Sequence, residues 1–224
     1  MSFPAALGII VVLSYLLGSI PFGYVLVRIV KGVDIRAVGS GNVGATNVMR
    51  VAGRKLGLAV LGLDALKGFV AVYFVGGTLV VALTHTAAAN GVWFALAAGA
   101  GAILGHVFTI FLKFRGGKGV ATGLGAVLGL VPAAALCALA AFIIVVAFSR
   151  YVSLGSITAA VVLVIAELLL DKNTLGAKPP LTVFCVAMAL LVIARHVSNI
   201  KRLLSGTENK FSLAHKPEAD EPSK

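Results

Sequence analysis

Long apolar runs separated by short, polar, glycine-rich segments organise this chain. A helix crossing a bilayer takes about 20 consecutive apolar residues, and residues 4–30, 56–83, 92–112, 151–170 and 181–200 each supply such a run. Residues 120–148 form a longer apolar stretch interrupted by Gly129 and Pro132. Proline removes a helix hydrogen bond, so this stretch is either one long crossing or a hairpin of two shorter helices. The positive charges decide between them, because Lys and Arg concentrate in cytoplasmic loops. A single crossing would put Arg150, Arg195, Lys201 and Arg202 opposite the loops that hold Lys31, Arg36, Arg50, Arg54, Lys55, Lys113, Arg115 and Lys118. A hairpin keeps every loop Lys and Arg inside except Lys172 and Lys178. The pattern therefore predicts an all-α polytopic membrane protein with seven transmembrane helical segments, one pair of them a Pro-broken hairpin near 120–149. It places an integral-membrane domain at 1–204 and a polar, mobile cytoplasmic tail at 205–224, with the N-terminus outside.

Composition agrees with that class. Hydrophobic residues make up 59% of the chain and charged residues 12%, whereas soluble domains carry about 25% charge. No basic region precedes the first apolar run, whose first cations, Arg28 and Lys31, follow it, so the run reads as a retained helix rather than a cleaved signal. The net charge of +11 suits contact with anionic lipid and does not by itself demand an anionic substrate. Nothing resembles a nucleic-acid-binding module. Cys137 and Cys185 lie in apolar runs without metal spacing and read as small buried hydrophobes.

On this topology three unusual segments face the cytoplasm: DIRAVGSGNVGATNVMR (34–50), KFRGGKGVATG (113–123) and RHVSNIKR (195–202). Gly39, Gly41 and Gly44 permit left-handed backbone, and successive N–H groups in such turns form concave nests for anions. Ser40, Asn42, Thr46 and Asn47 add side-chain donors near Arg36 and Arg50. The second segment repeats the recipe, with Gly116, Gly117 and Gly119 around Lys118 ahead of a helix whose N-terminus favours an anion. In the third, His196 and Asn199 are i, i+3 neighbours that can face one pocket beside Arg195. Tight connections between spans would also use glycines, but two donor-rich loops on one side favour phosphate.

Other patterns fail on context. Gly39, Gly41 and Gly44 spell G-x-G-x-x-G with Asp64 downstream, yet a dinucleotide fold needs a βαβ unit around them. Lys118 lacks the following Ser or Thr of a P-loop, and Leu112 stands where its first glycine belongs. His215 and Asp220 have an H-x-x-x-x-D spacing but lie in the tail, without the rigid support a catalytic pair needs. Asp64 and Lys67 can pair at i, i+3, with Gly68 marking a close approach. Glu167 sits with Asp171 near the outer end of its span and is expected to be exposed at the interface. His106, after Gly105, is a packing residue or a site residue, and His85 is a loop residue. No His, Cys, Asp and Glu set has metal spacing, so neither a metal nor another cofactor is expected.

The segments GSGNVGATNVMR, GHVFTIFLKFRGGKGVATG, SLGSI and RHVSNIKRL together resemble the PlsY family of bacterial glycerol-3-phosphate acyltransferases, over nearly the whole chain to about Glu208. The resemblance implies seven spans in the inner membrane and a site facing the cytoplasm. It implies transfer of an acyl group from acyl-phosphate to the 1-hydroxyl of glycerol 3-phosphate, giving lysophosphatidic acid and phosphate, without an H-x-x-x-x-D pair. By that resemblance Ser40, Gly41, Asn42 and Thr46 form the first phosphate cradle, with Arg50 toward glycerol 3-phosphate. Lys118, with Gly116 and Gly117, neutralises phosphate, and Ser153 or Ser156 joins His196 and Asn199. Lys118, His196 and Ser40 are the candidate catalytic residues, and the base is either His196 or a substrate phosphate oxygen. The expected partners are these two substrates and membrane lipid, with no nucleic acid and no obligatory protein. The competing class is a carrier for anionic metabolites, favoured only if a polar line continues to the outer face.

Overall fold

A computed structural model describes residues 2–79, 91–170 and 179–211. Among them the regular structure is entirely helical. His85, Asp171, Lys172, Lys178, His215 and Asp220 lie outside the described residues. The first apolar run is α1 (Phe3–Ser19) and α2 (Phe22–Lys31), broken where Pro21 has no N–H to continue the helix. A short α3 (Ala45–Ala52) precedes α4 (Arg54–Val70), which continues as a wider π-helical segment, Ala71–Leu79. Then come α5 (Gly91–Val107), α6 (Val120–Leu130), α7 (Pro132–Ser149), α8 (Val152–Leu170), α9 (Pro179–Arg195) and α10 (Val197–Leu204).

The predicted break falls at Val131, where non-helical backbone (φ −139°, ψ 64°) separates α6 from the proline that opens α7. Val120 at the start of α6 and Val152, just past the end of α7, line the same cleft, so the two helices run out and back as a hairpin. The hairpin is unequal. With 11 residues, α6 rises only about 16 Å at 1.5 Å per residue, roughly half the hydrocarbon thickness. Among the described residues five helical stretches are long and apolar enough to span, six if α9 and α10, bent by 57°, count as one. Beside them α6 is a shorter apolar helix.

Glycines set how closely the helices approach. A Cβ on Gly68 of α4 would strike the Thr122 carbonyl of α6, and one on Gly125 of α6 would strike the Ala65 carbonyl of α4. The same holds between α1 and α5, where Gly18 abuts Ala102 and Gly105 abuts Tyr15 O. Without a hydrophobic force between helices in lipid, small residues and interhelical hydrogen bonds hold them together. Thr109 Oγ1 donates to Ser19 O at 2.6 Å, and Tyr15 OH donates to Phe108 O at 2.6 Å, fixing the end of α5 against α1.

Two expectations are corrected. Glu167 is buried inside the bundle at 4% exposure rather than lying at the interface. Cys185 is buried as expected, but Cys137 is exposed on the outer side of α7. An apolar residue on a membrane helix is equally at home against lipid or protein, so hydrophobicity did not fix which face it takes.

Gly68→Ala is expected to lower the thermal midpoint in detergent through an overpacking cost of about 1–3 kcal/mol. Gly62→Ala, on the same helix with open space around it, is expected to leave the midpoint unchanged or raise it. Equal behaviour of the two variants in a thermal melt would refute this packing.

Candidate active site

The three segments singled out in the sequence, with the start of α8, surround one cleft of about 400 Å³. Its lining includes the first residues of α3 (Ala45, Thr46), α6 (Val120, Ala121), α8 (Val152, Ser153) and α10 (Ser198, Asn199). A helix begins with N–H groups that have no partner inside the helix, and the macrodipole makes that end positive. Four such ends meet at the cleft, and Arg50, Lys118 and Arg202 add full charges. Leu61 and Phe142 form an apolar wall, with Leu61 40% exposed on the outer surface of α4.

The first loop is built around Asn47, which is 1% exposed. Its Nδ2 donates to the carbonyls of Ile35, Val38 and Asn42 at 3.3, 3.1 and 2.9 Å, and its Oδ1 accepts from Ser40 N at 2.8 Å. Gly39 takes a positive φ (61°) against this side chain and Gly41 (69°) beside the Arg36 carbonyl, whereas Gly44 does not. Gly41 N donates to Val38 O and Gly44 N to Asn42 Oδ1, so those groups shape the loop. Ser40, Asn42, Thr46 and Arg50 line the cleft with it, and Arg50 Nη2 reaches Asn209 O at 3.5 Å.

The second loop differs from the expected nest. Gly116 N donates to Val107 O and Gly117 N to His106 O, both at 3.1 Å, which commits these two N–H groups to the end of α5. Of its glycines Gly119 alone takes a positive φ, 82°, where it caps α6, while Lys113 and Phe114 take positive φ (54° and 61°) at the start of the segment. Gly116 and Gly117 are small because the His106 backbone and ring leave no room for a Cβ. Their effect is to bring Lys118 to the cleft, where its Nζ donates to Asn199 Oδ1. Burial lowers the Lys118 pKa to about 8, with Glu208 opposing the shift and Arg202, Arg195 and Arg50 adding to it.

At the bend between α9 and α10, His196 is 2% exposed and its Nδ1 lies 2.7 Å from Val192 O. A carbonyl only accepts, so Nδ1 carries the proton and Nε2 is the acceptor of the neutral ring. Arg195 Nη2 donates to Gly117 O at 3.3 Å and its guanidinium lies over the Phe108 ring. Both candidate serines line the cleft, but they are used differently. Ser153 Oγ donates to Glu208 Oε1 at 2.7 Å, while Ser156 Oγ bonds its own helix at Val152 O.

Glu208, which the polar pattern assigns to the tail, is also a site residue. Residues 205–208 turn back over the cleft, and Phe211 N donates to Arg150 O at 2.6 Å. Glu208 Oε1 also accepts from Asn199 Nδ2 at 2.6 Å, and Oε2 from Arg202 Nε at 2.6 Å. Burial raises the carboxyl pKa, but these three hydrogen bonds outweigh it and hold the group below its usual range. The available signal was a single acid placed just after RHVSNIKR.

The family model described as glycerol-3-phosphate acyltransferase matches residues 8–206. The chain belongs to that family. It is similar to the glycerol-3-phosphate acyltransferases of Geobacter sulfurreducens (48% identical over 91% of this chain and 96% of the relative) and Endomicrobium trichonymphae (46%, 92% and 96%). Among solved structures it is similar to PlsY, an integral membrane glycerol 3-phosphate acyltransferase, in its glycerol 3-phosphate form. That match has a TM-score of 0.78 and 39% identity, over 92% of this chain and 96% of the other. The lysophosphatidic acid form of PlsY gives a TM-score of 0.77 and 37% identity, over 93% and 97%.

For this member of the glycerol-3-phosphate acyltransferase family, the shifted Lys118 makes a testable demand. Its ammonium is lost as pH rises through about 8 in the free protein, so inorganic phosphate, a probe of the anion held by Lys118, is expected to bind more weakly at pH 9 than at pH 7.5. Lys118→Arg, charged throughout, is expected to remove that decline in a calorimetric titration. Because Glu208 raises the Lys118 pKa, Glu208→Gln is expected to move the decline to lower pH. The same profile in all three proteins would contradict the assignment.

Proposed function

We propose that the protein transfers a fatty acyl group from acyl-phosphate to the sn-1 hydroxyl of glycerol 3-phosphate, forming lysophosphatidic acid and inorganic phosphate. One observation carries this reading. In a chain of this family, a cleft ringed by four helix N-termini and three cations has an apolar wall that reaches the lipid-facing surface at Leu61. The anionic ends of both substrates suit the polar side, and the acyl chain suits the Leu61 and Phe142 side. The basic loops support a cytoplasmic orientation for this end of the bundle in a bacterial inner membrane, which the chain crosses several times.

In this mechanism Arg50, Ser40, Asn42 and the first turn of α3 hold the phosphate of glycerol 3-phosphate. Lys118, on its rigid loop, neutralises the phosphate of the donor. The acceptor oxygen attacks the acyl carbon, the C–O bond to phosphate breaks, and phosphate leaves with the electron pair. Lys118 stabilises charge that grows along this path, which is where a preorganised cation contributes most. Acyl-phosphate is an activated anhydride, so orientation and charge neutralisation supply most of the acceleration. The hydroxyl proton goes to His196 Nε2 or to a substrate phosphate oxygen. No acyl-enzyme is formed. Asn47, Gly116 and Gly117 shape the loops, and Ser153 and Asn199 position the site through Glu208 and Lys118.

Purified protein given acyl-phosphate is expected to release phosphate only when glycerol 3-phosphate is present, in step with lysophosphatidic acid. Lys118→Ala is expected to lose about 10²–10³-fold in turnover. His196→Gln loses a similar factor if His196 is the sole base, and only a few fold, with an unchanged pH profile, if a substrate phosphate takes the proton. Folded protein without turnover that carries glycerol 3-phosphate into vesicles would replace this reading with transport.

A further inference from the structure

Beneath the cleft lies a buried ionic cluster that the proposed chemistry does not use. Lys67 Nζ is 2.7 Å from Asp64 Oδ1, and His106 Nδ1 is 3.5 Å from the same oxygen. Asp64 and Lys67 are 2% and 3% exposed, and His106 is 7% exposed. Burying charge in a membrane protein is costly, and such residues usually serve a site rather than stability alone. Apolar residues of similar volume can replace a buried ion pair at little cost or with a gain. The cluster joins three parts of the fold. Lys67 also donates to Ile20 O at 2.9 Å, beside Pro21 at the break between α1 and α2. Asp64 comes from α4, and His106 from the last turn of α5.

His106 is the link to the site. Its carbonyl accepts the Gly117 N–H, and a Cβ on Gly117 would strike its Nε2. The ring therefore lies against the backbone immediately before Lys118, with its far side toward Asp64. Nε2 faces Gly117 at a distance that leaves no room for an added atom, so this ring is a buttress rather than a base. Asp64 and His106 both line the cleft that Lys118 enters. We infer that Lys67, Asp64 and His106 are positioning residues: a buried ionic relay that locks the Gly116–Gly119 loop and so aims the Lys118 ammonium into the cleft. Asp64 holds the ring, Lys67 neutralises and anchors Asp64, and the ring holds Gly117. This rests on the reading of Lys118 as the phosphate-neutralising group.

The test is whether the relay acts through Lys118. Residues that act as one unit give non-additive losses. Formation of lysophosphatidic acid is measured for wild type, Asp64→Asn, His106→Ala, Lys118→Ala and the two double variants that combine Lys118→Ala with each relay change. All proteins are checked for monodisperse elution. In the Lys118-containing protein, Asp64→Asn and His106→Ala are expected to lower kcat by about tenfold to a hundredfold, as a misplaced group does. In the Lys118→Ala background the same changes are expected to cost no more than about twofold. Full, multiplicative losses there would overturn the relay, as would wild-type kcat in both single variants. Full activity of Lys118→Ala would instead overturn the reading of Lys118 and this inference with it.

A second pair of variants carries the test if a relay variant fails to fold or Lys118→Ala falls below detection. Gly117→Ala drives a methyl group into the His106 ring and is expected to lose most activity. His106→Ala/Gly117→Ala makes room for that methyl and is expected to recover at least about tenfold over Gly117→Ala, by the coupling expected of residues in contact. Absence of recovery, read in membranes without purification, overturns the inference.

Discussion

The carboxylate of Glu208 holds the rest of the site together. Arg50, Lys118, Arg195 and Arg202 are gathered by three different segments, and their mutual repulsion opposes assembly of the cleft before any substrate arrives. Glu208 places one negative charge among them and hydrogen-bonds Ser153 of α8, Asn199 of α10 and Arg202. Because these bonds are charge-assisted, each is stronger than a neutral hydrogen bond. Asn199 in turn accepts the Lys118 Nζ. One ionised side chain thus links two helix starts to the lysine loop, while leaving net positive charge for anions.

A second constraint comes from the bilayer. Backbone groups in the hydrocarbon must be satisfied within helices, so irregular backbone is tolerated only where side chains, water or ligand can serve it. The loops around Asn47 and Gly117 collect at one end of the bundle for this reason, where α3, α6, α8 and α10 begin. The same ends that would be orphaned in lipid open instead onto the cleft. Close helix contacts at Gly68, Gly105 and Gly125 then bring those starts near enough to act on one ligand.

The bundle was legible in the sequence because the apolar runs are long and the cations lie between them. The hairpin at Pro132 followed from charge asymmetry, and the three loops converge as their shared donors and bases implied. Side-chain detail was less legible. Glycine reports that space is short without saying what fills it: Gly116 and Gly117 make way for His106 rather than forming an anion nest. Asn47 has the donors of a ligand residue but uses them on its own loop. Glu208 was hidden in polar sequence, since composition cannot show that residues 205–208 fold back. Glu167 and Cys137 were misplaced because apolar surroundings do not distinguish lipid from protein.

The proposed transfer requires one cleft to hold two phosphate-bearing ligands side by side. Binding of glycerol 3-phosphate measured with and without a saturating non-hydrolysable acyl-phosphonate tests it most directly. Both ligands are expected to bind together, one of each per chain, with little loss of affinity for either. Mutual displacement, with the acyl-phosphonate competing for the same anion site, would contradict it.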